Sequence, residues 1–218
     1  MKNILEADSI IVSFDQRVVV SNAYIRCDQG EIVGLLGRNG SGKSTLLKAI
    51  FGIGASENKS IRVNGSWVAN GYSASNVNML PQFNMIPSNM TIRTAIRLFD
   101  IDMGKIKTVA DDKLFLLDQR ANELSGGELR FIELLIVLFS KSRFSFLDEP
   151  FSGLSPVMTE RALEIMNDVK NEKGLLITDH MYKYVTECSD RLYCMYSGRT
   201  VEVNDTSELI RYGYINHE

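Results

Sequence analysis

Apolar and polar positions alternate over residues 4–14 and 17–25, which predicts two antiparallel strands joined at Gln16 and Arg17. Asp28-Gln29-Gly30 marks a turn into an apolar run, Glu31-Ile32-Val33-Gly34-Leu35-Leu36. Leu46, Leu47 and Ile50 then fall on one helix face, and Gly52-Ile53-Gly54 ends that helix. Short strands at 61–63 and 67–69 flank Asn64-Gly65, a hairpin signal, and Val77 to Leu80 forms another strand that ends at Pro81-Gln82. Residues 83–123 carry the least strand-like pattern: a helix is expected from Thr91 to Phe99 and a short helical piece from Lys113 to Leu117. About 84–130 therefore reads as a helical insertion. Four methionines fall in or near it (Met79, Met85, Met90, Met103), a composition that suits either an adaptable surface or plain core filling.

Ser125 is the expected N-cap of an apolar helix running to about Phe139, with Glu128 as its capping-box partner. The remainder predicts a strand over Phe144-Ser145-Phe146-Leu147, a helix from Val157 to Lys170 and a strand from Gly174 to Thr178. A short helix from Met181 to Cys188 follows. Arg191 to Tyr196 and Thr200 to Val203 pair through Ser197-Gly198, and Thr206-Ser207-Glu208 caps a final helix before a loose tail.

The strand and helix at residues 31–51 enclose Gly37-Arg38-Asn39-Gly40-Ser41-Gly42-Lys43-Ser44-Thr45. Strand, glycine loop and helix are the context of a phosphate-binding loop. Glycines let consecutive backbone N–H groups turn toward one anion, and the helix start adds its positive end. Lys43 adds a point charge between the outer phosphates, and the Ser44 hydroxyl reaches Mg²⁺.

The strand over 144–147 runs into Asp148-Glu149-Pro150. Carboxylates at the end of a buried parallel strand lie at the crevice where open α/β sheets take ligands. Asp148 is placed to hold Mg²⁺ beside Ser44, and Glu149 to orient or deprotonate a water. Isolated acid pairs after strands are usually solvated turns; the glycine loop reverses that prior. His180 follows the next strand, where an imidazole can reach a γ-phosphate; the other histidine, His217, sits in the tail. Phe14, on the first hairpin, is either a core aromatic or a ring that stacks on a base. Two glycines after Ser125 expose N–H groups at a second helix start, which suggests a site for another subunit's nucleotide.

Composition narrows these readings. The chain has 218 residues, 44% of them hydrophobic, which is one domain or one domain with an insertion. The net charge of −3 and the lack of a dense Lys/Arg block remove the electrostatic case for a nucleic-acid partner. Three scattered cysteines, Cys27, Cys188 and Cys194, read as reduced side chains in a cytosolic protein. The longest apolar stretch near mid-chain, Leu134 to Phe139, is far short of a membrane span, so a membrane role is expected through a partner.

Taken together, the segments resemble the nucleotide-binding subunit of an ATP-binding cassette transporter over nearly the whole chain. The motifs stand in family order: Walker A at 37–45, the Gln82 loop, Leu124-Ser125-Gly126-Gly127-Glu128, and Walker B from Phe144 to Asp148, followed by Glu149. The Leu-Ser-Gly-Gly-Glu element is the specific one; Walker A alone leaves many NTPases open. The resemblance implies an α/β fold: a P-loop NTPase core with a mixed central sheet, an N-terminal antiparallel β-subdomain and an inserted helical subdomain. It implies a single domain over 1–218, with 1–83 and 131–218 as the nucleotide-binding core and 84–130 as the insertion.

The resemblance also implies roles. Phe14 stacks on adenine, and Lys43 with the backbone of the 37–45 loop cradles the phosphates. Ser44, Gln82 and Asp148 serve Mg²⁺, Glu149 is the general base, and His180 is the switch histidine. Ser125 and Gly127 touch ATP on a facing subunit, in a homodimer or a heterodimer with a similar ATPase. A transmembrane permease docks at residues 83–99, with Phe83, Met85, Ile86, Met90 and Ile92 as the candidate surface, placing the protein on the inner face of the membrane. Two departures stand out: Ser155 where the family usually has aspartate, and Leu129-Arg130-Phe131-Ile132-Glu133 where a polar and basic run is usual. The first puts coupling between sites, or hydrolysis, in question. A soluble nucleotide-dependent switch and a non-hydrolysing partner subunit are the competing readings.

Overall fold

The computed structural model describes residues 2–15, 17–54, 56–72 and 76–214, with side chains undescribed at 111–113 and 206. Gln16 of the first connection and the tail with His217 lie outside them.

The alternating N-terminal segments form β1 (Ile4–Phe14) and β2 (Arg17–Asp28), paired antiparallel. With β4 (Asn58–Val63) and β5 (Ser66–Val68) they make a four-stranded sheet of order β2-β1-β4-β5. Asn64 and Gly65 both take positive φ in the β4–β5 turn, as Asn-Gly in a two-residue hairpin does. A break in the β1–β2 register surrounds Ser9, whose φ is 56°.

The second sheet has order β10-β9-β3-β8-β7-β6, built from β3 (Ile32–Leu36), β6 (Val77–Leu80), β7 (Phe144–Asp148), β8 (Gly174–Thr178), β9 (Arg191–Tyr196) and β10 (Arg199–Val203). β10 alone pairs antiparallel, through the hairpin with β9, so the sheet is mixed. All residues of β3, β7 and β8 are buried, as parallel strands covered on both faces must be.

Successive side chains divide between two cores, following the period of two. Phe144, Phe146, Leu176 and Leu35 pack with the antiparallel sheet and α1 (Lys43–Phe51). Leu147, Leu175, Ile177 and Leu36 pack on the other face with α4 (Gly126–Phe139) and α5 (Pro156–Val169). This second core extends into the helical segment, α2 (Ile92–Leu98), α3 (Met103–Val109) and the 3-10 turns Asp111–Asp118 and Ala121–Glu123. The architecture is the expected one.

Some boundaries differ from expectation. The α3 helix stands where no helix was expected: Asp102 caps it by accepting from the Gly104 N–H, but only Ile106 is fully buried along it. The piece expected at 113–117 is a longer 3-10 stretch. The last helices are α6 (Tyr182–Cys188) and α7 (Thr206–Arg211), and the cap of α7 is Asp205, which accepts from Ser207 N–H. Met85, Met90 and Met103 pack against the core, and Met79 against its counterpart on the other face. Of the five residues expected to face a permease, Ile86 and Ile92 are instead buried in the core and Met85 and Met90 half-buried against it, which leaves Phe83 exposed.

Candidate functional site

The loop from Gly37 to Gly42 leaves β3 and feeds α1. A Cβ at Gly37 would lie 2.7 Å from Ser41 Oγ and 2.9 Å from Met195 O, so only glycine fits there. Gly42 occupies the N-cap of α1 at φ 106°, a left-handed conformation, and no side chain caps the helix. First-turn N–H groups thus remain available to an anion. Lys43 is largely buried and donates to Gly37 O at 2.7 Å and Arg38 O at 3.3 Å. Burial pushes its pKa down, while Glu149 and Asp148 oppose that shift.

The acids approach from β7. Asp148 is fully buried, accepts from Ser44 Oγ at 2.9 Å on Oδ1, and leaves Oδ2 buried without a hydrogen-bond partner. Burial raises its pKa, and the Ser44 bond pulls the other way. Glu149 sits at φ 53°, a left-handed conformation that is strained for a side-chain-bearing residue. Its N–H donates to Thr178 O at 2.7 Å, so the chain turns away from the sheet directly after Asp148.

Asp179, also fully buried, fixes the neighbouring turns by accepting from Phe151 N–H (3.0 Å) and Met181 N–H (2.9 Å). His180 stands next to it, with Nδ1 3.3 Å from Asp179 Oδ1 and 4.0 Å from Glu149 Oε2.

Lys43, Ser44, Glu149 and His180 converge on one cleft of about 520 Å³, lined also by Asn39, Gly40, Gly42, Thr45 and Gln82, with Val19 from β2; Asp148 and Asp179, both fully buried, are not among its lining residues. Sequence reading missed Val19, since one valine in an alternating strand carries no signal. Phe14 is 55% exposed at the far end of β1 and is not among the lining residues. The Arg38 side chain turns elsewhere: Nε donates to Gly213 O at 2.6 Å, and Arg38 and Ser41 line a separate cavity near α7.

Ser125 and Gly127 are also outside the cleft. Ser125 is exposed and caps α4 through a complete capping box, exchanging hydrogen bonds with Glu128. A Cβ at Gly127 would lie 2.5 Å from Gly153 O, so the first turn of α4 rests on the turn after β7. Ser155, at the expected aspartate position, caps α5 by accepting from Met158 N–H at 3.3 Å.

The model of the ABC transporter family matches residues 20–152, more than half the chain. The chain belongs to the ABC transporter family. Relatives agree along almost the full length. The lipopolysaccharide export ATP-binding protein LptB of Haemophilus influenzae is 27% identical over 224 residues, covering 95% of this chain and 93% of that protein. The branched-chain amino acid transport ATP-binding protein BraG of Pseudomonas aeruginosa is 26% identical, covering 93% and 92%. A solved ATP-binding subunit of an ABC transporter superposes with a TM-score of 0.82 at 22% identity, covering 99% of this chain and 95% of that one. ABC membership makes this chain an ATP-binding, ATP-hydrolysing subunit coupled to transport. Among the described residues, no helix is long and apolar enough to cross a membrane.

Proposed function

We propose that the cleft hydrolyses ATP with Mg²⁺ and that two such subunits, identical or merely similar, close head-to-tail over two nucleotides. Lys43 and the 39–45 backbone hold the phosphates. The donor set suits a hard divalent cation: Ser44 and Asp148 offer oxygens, one of them buried and unpartnered, with Gln82 at the rim. Among the described residues no group of three or more His, Cys, Asp or Glu side chains could hold a metal. Nucleotide oxygens would therefore complete the coordination, the usual arrangement for Mg²⁺. When bound, the cation neutralises charge on the phosphate oxygens. Glu149 takes the proton of the attacking water, and His180 steadies the γ-phosphate end. Phe14 and Val19 flank the nucleotide base.

The observation that carries this reading is the convergence of Lys43, Ser44, Gln82, Glu149 and His180 on one cleft while Ser125 faces solvent. A second protomer supplies what the cleft lacks. The 84–130 subdomain, inserted between core segments 1–83 and 131–218, presents exposed Leu98 and Phe99, next to exposed Phe83 at the end of the first core segment, to a permease held in the membrane, which places the subunit at its inner face. The test is Glu149→Gln with Mg-ATP in analytical ultracentrifugation. Loss of turnover with accumulation of a nucleotide-bound dimer is expected. Undiminished turnover would remove Glu149 as the base, and a monomer at saturating ATP, alone or with a similar ATPase chain, would remove the head-to-tail site. Recovery of a multi-span membrane protein in a mild-detergent pull-down checks the permease; ribosomes or DNA in its place would overturn it.

A further inference from the structure

We infer that Arg130 and Glu133, one turn apart on α4, act as a buried positioning clamp that sets the Gln82 loop against the carbonyl ends of Asp148 and Glu149. The inference rests on the assignment of Gln82 and Glu149 to the hydrolytic site.

Arg130 is 4% exposed and Glu133 is fully buried, within a helix otherwise lined by Phe131, Ile132, Leu134 and Leu135. Charges so deep are rare unless partnered. Yet these two are not hydrogen-bonded to each other: Arg130 Nη1 lies 3.8 Å from Glu133 Oε2. Each directs its hydrogen bonds at backbone elsewhere. Arg130 Nη1 donates to Pro81 O at 2.7 Å, and Nη2 donates to Asp148 O at 2.6 Å and Glu149 O at 2.9 Å. Glu133 Oε1 accepts from Met85 N–H at 2.6 Å and Ile86 N–H at 3.0 Å.

The geometry brackets Gln82. The residue before it is held by Arg130, and the segment three and four residues after it by Glu133. The same guanidinium reaches the carbonyls of the last residue of β7 and of the residue after it. A planar fork of donors suits this task in a way that an ammonium does not. Stability is a poor reason for such a pair, since apolar side chains of similar volume often serve as well. What the pair adds is registry: α4, whose first turn presents Ser125, cannot tilt without carrying the Gln82 loop and Glu149 with it. Arg130 and Glu133 touch no reacting atom and act only through those residues.

The test uses the full chain with Arg130→Met, Arg130→Lys, Glu133→Leu, the double Arg130→Met/Glu133→Leu, and Glu149→Gln as reference. Each single variant is expected to lose about tenfold or more in kcat while KM for ATP stays within about twofold. The double variant falls no further than the worse single one, because the two act as one unit. Amide exchange at Met85 and Ile86 speeds up in Arg130→Met, although that variant removes no bond to either amide. Losses that multiply, or unchanged exchange at Met85 and Ile86 in Arg130→Met, would overturn the clamp. Should Arg130→Met fail to fold, Arg130→Lys decides: it keeps the charge and loses the fork, so wild-type kcat there rejects the clamp. Retained turnover in Glu149→Gln would instead reject the site reading on which the clamp stands.

Discussion

Ser44 Oγ donates to Asp148 Oδ1 at 2.9 Å, joining the start of α1 to the end of a strand two places from β3 in the sheet. That bond satisfies one carboxylate oxygen and leaves the other buried and unpartnered. A charge on Asp148 is therefore only partly paired within the protein.

Asp148→Asn tests that statement. Burial holds the folded-state pKa of Asp148 above its ordinary 3.8. A carboxyl raised in this way binds protons more tightly folded than unfolded, so its contribution to stability declines as pH rises from 3.8 through the folded value. Melting curves without nucleotide, taken between about pH 4 and 8, should show the Asn variant gaining on wild type as pH rises. ATP turnover should be lost in the same variant. A constant difference across the range would refute the assigned charge.

Lys43→Met removes the ammonium and keeps the apolar stem. Affinity for a fluorescent ATP analogue should fall by about tenfold or more, as expected when charge-assisted hydrogen bonds to phosphate are lost. Unaltered titration curves would mean that the bonds to Gly37 O and Arg38 O describe the only role of this side chain.

Ser125 holds two roles that substitution can separate. Ser125→Ala removes the cap of α4 and should destabilise the protein by about 1 kcal/mol in urea unfolding. Ser125→Asn keeps a capping oxygen and an N–H for Glu128, which accepts from Ser125 Oγ at 2.7 Å, and should hold stability near wild type, while its larger side chain crowds a facing triphosphate. Normal ATP-driven dimerisation in Ser125→Asn would contradict the shared site.

Glu149 is expected to carry backbone strain. Gly at 149 relieves a left-handed φ that Ala retains, so Glu149→Gly should be more stable than Glu149→Ala by about 1 kcal/mol. Equal unfolding midpoints and slopes for the two would show that φ 53° is not strained here.

At position 155 the cap and the family's aspartate can be reconciled. Ser155→Asp should leave the melting temperature nearly unchanged, because aspartate caps a helix as well as serine does. Ser155→Ala should lower stability by about 1 kcal/mol. A large loss in Ser155→Asp would mean that the local turn depends on the smaller hydroxyl.

Much of the fold was legible because its signals are local. Alternation marked β1 and β2, glycines marked the phosphate loop, and Ser125 with Glu128 marked α4 down to its reciprocal hydrogen bonds. The helical segment was harder. α3 is short and buries Ile106 alone, so it carries no apolar periodicity, and the capping Asp102 is its one local signal. The end of the chain was misread by one residue, since Asp205, Thr206 and Ser207 are all capable caps and only backbone geometry selects Asp205.

The site was legible as a set of motifs but not as a connected object. Arg130 and Glu133 were read only as part of a departure from the family pattern. Their real signal was available: two opposite charges three residues apart in an apolar helix must find partners or remain unsolvated. Which partners they find, Pro81, Asp148, Glu149, Met85 and Ile86, depends on the sheet order, which brings together segments about fifty residues distant or nearer.

The contact of Gly127 with Gly153 O leaves main chain against main chain, with no rotamer between them to cushion a shift. These two segments can roll across one another but have no slack to draw closer. A push delivered at the tip of α4 reaches Leu154 and Ser155 as displacement, without first being absorbed by side-chain rearrangement.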